Sequence, residues 1–173
     1  MLIFHAVKQL KDIGIEVLVL CSGHMKDYRN PSYIEEIRTY IDKNKLKNNI
    51  KLMGLIDYDD VLYFMRYSIA VINPSLFEGW SSTVEECKSI GKNMLLSDTL
   101  IHKEQNPKES IYFDPNNVQD AVEALKTFWL DDTFIPPNIK LETQARDNLK
   151  KRTLTFAEIY QDIVLETVHG LYR

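Results

Sequence analysis

Residues 69–98 read IAVINPSLFEGWSSTVEECKSIGKNMLLSD. The apolar run IAVINPS (69–75) predicts a buried strand, residues from about 82 to 90 predict a helix stopped by Gly91, and NMLLS (93–97) predicts a second strand. A strand, a helix and a strand in succession imply a parallel pair, because a parallel connection needs a crossover. Ligands of open parallel sheets bind outside the carboxyl ends of the strands. The loop from Ser75 to Thr83 is therefore a first place to look for a site.

The same alternation extends to both sides. Leu2, Ile3, Ala6, Val7, Leu10 and Ile13 recur at helical spacing, and Gly14 is placed to end that helix. EVLVLCSG (16–23) predicts a strand covered on both faces. NPSYIEEIRTYIDKNKL predicts a helix with Pro31 in its first turn and Tyr33, Ile34, Ile37, Tyr40 and Ile41 on one face. IKLMG (50–54) predicts a strand, and DYDDVLYFMRYS (57–68) a helix opened by acidic residues. SIYFD (110–114) predicts a last strand, followed by a helix with Val118, Ala121, Val122, Leu125 and Trp129 on one stripe. DDTFIPPN is the only linker-like piece, and two helical stretches follow, over 138–151 and 153–168. The fold class is α/β, with a parallel sheet and helices on both faces.

Composition narrows the function. A chain of 173 residues, 45% hydrophobic and 27% charged, has the size and balance of one globular domain. A net charge of −4 supplies no field for a polyanion, which argues against nucleic acid. Cys21 and Cys87 have neither metal-ligand nor Cys-x-x-Cys spacing, which suits a reducing cytoplasm. The opening MLIFHAVKQLKDIG lacks both a basic leader and a long apolar run, so it reads as neither signal peptide nor membrane span. Four scattered histidines without an i, i+4 pair make no metal site. Gly-x-Ser-x-Gly, Walker and Gly-x-Gly-x-x-Gly patterns are absent from the sequence, which removes the main support for triad hydrolysis, phosphoryl transfer and dinucleotide redox chemistry.

Within FEGWSSTVEE (77–86), the helix start at Ser81, Ser82 and Thr83 presents free N–H groups and the positive end of a dipole, which suit a phosphate. Gly79 lets the backbone come close to a ligand. A carboxylate one turn into the helix can accept hydrogen bonds from a vicinal diol such as a ribose. Glu85 and Glu86 point about 100° apart on a helix, so only one can share that face, and spacing does not choose between them. On local physics the same residues also read as N-caps, dipole-favouring carboxylates and a turn glycine.

With these elements in order, the chain resembles the C-terminal, nucleotide-sugar-binding half of retaining glycosyltransferases of the GT-B fold, the group 1 glycosyl transferases. The matching stretches run from about residue 2 to about 168: VLVLCSG, IKLMGLIDYDDVLYFMRYSIAVINPSLFEGW, VEECKSIGKNMLLSD and SIYFDPNNVQDAVEAL. The most specific is Glu-x7-Glu, here Glu78 and Glu86. The resemblance implies a Rossmann-like domain in which Glu78 acts at the donor sugar and Glu86 holds the ribose. Gly79, Trp80, Ser81, Ser82 and Thr83 would bind the diphosphate. Gly23, His24, His102 and Lys103, also at carboxyl ends of strands, would border the donor site. It further implies transfer of a hexose from a nucleoside-diphosphate sugar to a saccharide or lipid-linked acceptor, as in polysaccharide biosynthesis, with no cofactor and no obligatory metal. Peripheral membrane association of the full-length protein is compatible with it.

Two departures stand out. The family's frequent Gly-Phe-Gly-Leu-Pro is replaced by Gly79-Trp80-Ser81-Ser82-Thr83, so the hexose does not transfer. The family's acceptor domain, and a first strand with a basic loop, are expected upstream of Met1. Residues 1–173 thus read as a single donor-binding domain ending in helices over 138–173. Competing readings are a nucleotide-binding module without catalysis, a GT-B epimerase or phosphorylase-like enzyme, and an α/β interaction domain. Tyr58, Tyr63 and Tyr67, at helical spacing, read as packing residues.

Overall fold

The computed structural model describes residues 1–105, 107–108, 110–131 and 136–171. Its elements in chain order are α1 (Leu2–Asp12), β1 (Val19–Ser22), α2 (Tyr33–Lys43), β2 (Ile50–Gly54), α3 (Tyr58–Tyr67) and β3 (Val71–Asn73). These are followed by α4 (Ser82–Ile90), β4 (Met94–Ser97), α5 (Leu100–Gln105), β5 (Ser110–Phe113), α6 (Val118–Trp129) and α7 (Ile139–Leu171).

All the strand pairs are parallel, and they form two hydrogen-bonded groups, β1 with β2 and β3–β4–β5 in that order. Among the described residues, β1, β2, β3 and β5 each keep one edge without a strand partner. The period of two along β4 sends its side chains to opposite faces. Leu95 joins a core with α1, α2 and α6, including Leu10, Ile41 and Leu125. Met94 and Leu96 join a second core with Met65 of α3 and with Val84 and Cys87 of α4. Helices thus cover both faces, as expected of a Rossmann-like half. The α1 stripe of Ile3, Ala6, Val7 and Leu10 packs on α6, and burying one such leucine contributes about 1.5–3 kcal/mol.

Several expectations need correction. β1 is short, and Leu18 and Leu20 are exposed, so this strand is covered on one face only. Ser32 caps α2, which leaves Pro31 in the preceding turn, outside the helix. On α6 the buried stripe runs through Ala124 and Phe128, while Trp129 lies at its edge. The two C-terminal stretches are one helix, α7, because nothing between 151 and 153 breaks it. Its first half packs on α4, with Arg66 bonded to Glu142 at 2.7 and 2.9 Å, while residues 153–170 are exposed. The short helix α5 follows the SD of β4 without an apolar period to reveal it. The DDTFIPPN linker lies partly outside the described residues, as does the end of the 138–173 segment.

Candidate functional site

Asn73 is the last residue of β3 and is buried; it has no apolar surface to offer the core, so its amide must be satisfied by hydrogen bonds. Its Nδ2 donates to Glu78 Oε1 at 3.2 Å and to Ser81 Oγ at 3.0 Å. Its Oδ1 accepts from the Ser75 backbone N–H at 3.2 Å. Ser75 Oγ adds a second donor to Glu78 Oε1 at 2.7 Å. Glu78 is therefore held at the carboxyl end of β3 by two side chains of its own loop. Among the described residues, its Oε2 has no hydrogen-bond partner.

Ser81 caps α4: its extended backbone starts the helix and its Oγ accepts from the Val84 N–H at 3.4 Å. The Ser81 N–H donates to Gln105 Oε1 at 3.2 Å, and the Ser81 carbonyl accepts from Gln105 Nε2 at 2.9 Å. Ser81 is buried and its polar atoms are taken up by the protein. Ser81 was expected among the diphosphate ligands, and its N–H is bonded to Gln105. Among the described residues, the next two N–H groups, of Ser82 and Thr83, have no protein acceptor, and Ser82 is exposed. Gly79 is exposed too, and a Cβ built on it would meet no atom within 4 Å. Its backbone is thus open to an approaching group, while Trp80 stands half-exposed beside it.

The two adjacent glutamates part as helical geometry requires. Glu85 turns inward and accepts from Lys88 at 2.9 Å, Gln105 Nε2 at 3.1 Å and Arg152 at 3.1 Å. Burial acts to raise the Glu85 carboxyl, but these hydrogen bonds and the two cations outweigh it and hold the group below the ordinary carboxylate range. Glu86 turns the other way and accepts one hydrogen bond, from the Tyr58 hydroxyl at 2.9 Å. That bond and the negative charge behind it raise the Tyr58 phenol. With Oε2 and a second lone pair of Oε1 unused, Glu86 keeps room for a diol. Tyr58 brings the start of α3, just after the β2 loop, against α4. Helical spacing had placed Tyr58 among packing residues, yet it is exposed, and Tyr63 and Tyr67 are likewise exposed, pairing with each other at 4.5 Å.

Of the four residues expected at the border, Gly23 and His24 are exposed, and the Gly23 N–H donates to the Gly54 carbonyl at 2.9 Å, joining the β1 and β2 loops. Lys103 is exposed and paired with Asp98 at 2.6 Å. His102, expected at the same border, is fully buried. Its Nδ1 donates to the Ser97 carbonyl at 2.8 Å, which leaves Nε2 as a buried acceptor without a partner. Tyr112 caps the His102 carbonyl at 3.2 Å.

Sequence reasoning gave no role to Asn73, Ser75 or Gln105 and read Tyr58 as a packing residue. Asn-Pro-Ser at the end of an apolar strand was the available signal for the first two. Burial pushes the Cys87 thiol up to about 12, with the Glu86 charge adding to it, and Cys21 is raised by burial as well. Neither cysteine is in a disulfide. Among the described residues, no group of three or more His, Cys, Asp or Glu side chains is placed to hold a metal ion, and no helix is long and apolar enough to cross a membrane.

The chain matches the family model of glycosyl transferases group 1 over residues 1–152 and belongs to that family. No curated protein matches it. A glycosyltransferase from Rickettsia africae ESF-5 shares the fold with a TM-score of 0.70 at 19% identity, over 94% of this chain and 44% of the other. Sucrose-phosphate synthase from Thermosynechococcus elongatus does so with a TM-score of 0.67 at 13% identity, over 92% and 42%. The chain therefore spans less than half the length of either solved protein.

Proposed function

We propose, with membership of the group 1 glycosyl transferases as the premise, that this chain is the donor-binding part of a retaining enzyme. That enzyme moves a hexose from a nucleoside-diphosphate sugar to a saccharide or lipid-linked acceptor. The observation that carries the reading is the pair of unpartnered N–H groups on Ser82 and Thr83, set between Glu78 and Glu86 beyond the carboxyl end of β3. Preorganised donors of this kind stabilise a departing diphosphate without a metal or a basic side chain. In this account Glu86 holds the ribose, Gly79 and Trp80 line the approach, and Glu78, fixed by Asn73 and Ser75, faces the sugar. Gly23, His24 and Lys103 lie on the same edge and border the donor. The work is done in the cytoplasm.

The unpaired edges of β1 and β3 support a further strand from the rest of the protein, and the acceptor would be bound by a separate domain. A second reading, a nucleotide-binding module without catalysis, is favoured for the 173 residues taken alone, since they span 42–44% of the solved relatives. Calorimetry and radiolabelled sugar transfer separate the two readings. The chain is expected to bind nucleoside diphosphate with a Kd of roughly 0.1–1 mM, about 4–5.5 kcal/mol, and to transfer no sugar. Transfer by the purified chain would show that the acceptor site had been misplaced. Turnover of a nucleotide sugar without acceptor would favour an epimerase.

A further inference from the structure

We propose that Gln105 is a positioning residue for the diphosphate site, an inference that rests on the reading just given. Gln105 ends α5, is buried, and touches none of the exposed donors. Its amide meets both polar groups of the Ser81 residue: Oε1 accepts from the Ser81 N–H at 3.2 Å and Nε2 donates to the Ser81 carbonyl at 2.9 Å. This is the two-point pairing a neighbouring strand would give, made by one side chain. The orientation of the amide is fixed, because Nε2 also donates to Glu85 Oε1 at 3.1 Å, and a flipped amide would place its oxygen against two acceptors. Glu85 is in turn held by Lys88 at 2.9 Å and Arg152 at 3.1 Å, and Lys88 also donates to the Gln105 carbonyl at 2.8 Å.

The consequence falls on the next residues. The Ser81 backbone sets the direction in which the Ser82 and Thr83 N–H groups emerge, and those are the donors left open to an anion. Because Gln105 takes the Ser81 N–H, it also moves the anion site one residue into the helix. The loop before α4 gains from this side chain the rigidity that holding two fixed donors requires.

The test uses inorganic pyrophosphate as the probe and the whole chain. Gln105→Leu, which keeps the volume but loses all three side-chain hydrogen bonds, should weaken pyrophosphate binding about ten-fold. Gln105→Glu should be weak near pH 7.5, where a carboxylate faces the Ser81 carbonyl and Glu85, and should recover toward wild type near pH 5, as protonation begins to restore a donor. Affinity ratios to wild type at each pH remove the titration of the probe. A folded Gln105→Leu chain that binds as wild type, or a Gln105→Glu ratio that is flat with pH, overturns the proposal. If Gln105→Leu does not fold, amide exchange in the wild type decides: Ser81 should be protected at least about ten-fold more than Ser82, and equal exchange overturns the proposal. A wild-type chain that binds no pyrophosphate defeats the functional reading instead, while Ser81 protection still tests the clamp.

Discussion

At the C-terminal end of α4 a Cβ on Gly91 would lie 2.4 Å from the Leu141 carbonyl oxygen, whereas at the N-terminal end one on Gly79 would meet nothing within 4 Å. The C-terminal end is sealed by α7. Gly91 takes the left-handed conformation, with φ at 65°, and even the ammonium of Lys92 is buried there, donating to the carbonyls of Arg66 and Ser68. At the N-terminal end Ser81 and Glu85 are satisfied from inside, while Ser82, Thr83, Gly79 and one oxygen of Glu86 face outward with capacity to spare. Polar capacity left open beside a rigid, satisfied network is what distinguishes a site from a helix end that merely terminates.

The largest effect should come from exchanging the two glycines. Gly91→Ala forces backbone against backbone at a positive φ, and should cost about 3 kcal/mol or more, a fall in Tm of roughly 6 °C or more. Gly79→Ala should leave Tm unchanged and weaken nucleotide binding. Equal stability losses would erase the contrast between the ends. Next in size, Glu86→Ala should weaken nucleoside-diphosphate binding by about 1.5–3 kcal/mol per hydrogen bond lost to the carboxylate. Glu85→Ala should lower Tm first and affect binding less, and calorimetry beside thermal melts would show whether the two positions differ.

The sealed end also predicts a pH dependence. Burial lowers the Lys92 ammonium to about 8, against the cysteine and glutamate charges that raise it. The unfolded chain therefore holds more protons than the folded one between about pH 8 and 10.5, and stability should rise with pH across that window, by on the order of 2 kcal/mol. Chemical denaturation as a function of pH should show this slope, and Lys92→Met should remove it. The smallest effect belongs to Ser82→Pro. Ser82 is the first helical residue and Ser81 before it is extended, with φ −83° and ψ 109°, so proline fits at position 82 and removes the N–H together with the exposed hydroxyl. Binding should weaken by about 1.5 kcal/mol, the low end for one hydrogen bond to a charged group, with the melt unchanged.

Much of this was legible in the chain itself. The periods of two and 3.6 located β2, α3, α4 and β4 closely, because each carries an uninterrupted apolar pattern and ends at Gly54, Ser68, Gly91 or Ser97. Glu78 and Glu86 were named by the family resemblance, since spacing alone did not choose between Glu85 and Glu86. What was not legible lies in tertiary contacts. Nothing local says that the face of β1 bearing Leu18 and Leu20 stays uncovered, that Gln105 reaches across to Ser81, or that Tyr58 meets Glu86 from 28 residues away. His102 looked like a surface residue at a strand end, and α5 folds it under Ser97 instead.

Co-crystallisation with a panel of uridine, guanosine and adenosine diphosphates tests the central claim most directly. The account predicts a diphosphate oxygen about 3 Å from the N–H groups of Ser82 and Thr83, with both ribose hydroxyls on the Glu86 carboxylate. A nucleotide bound anywhere else, with those two N–H groups still facing solvent, would contradict it.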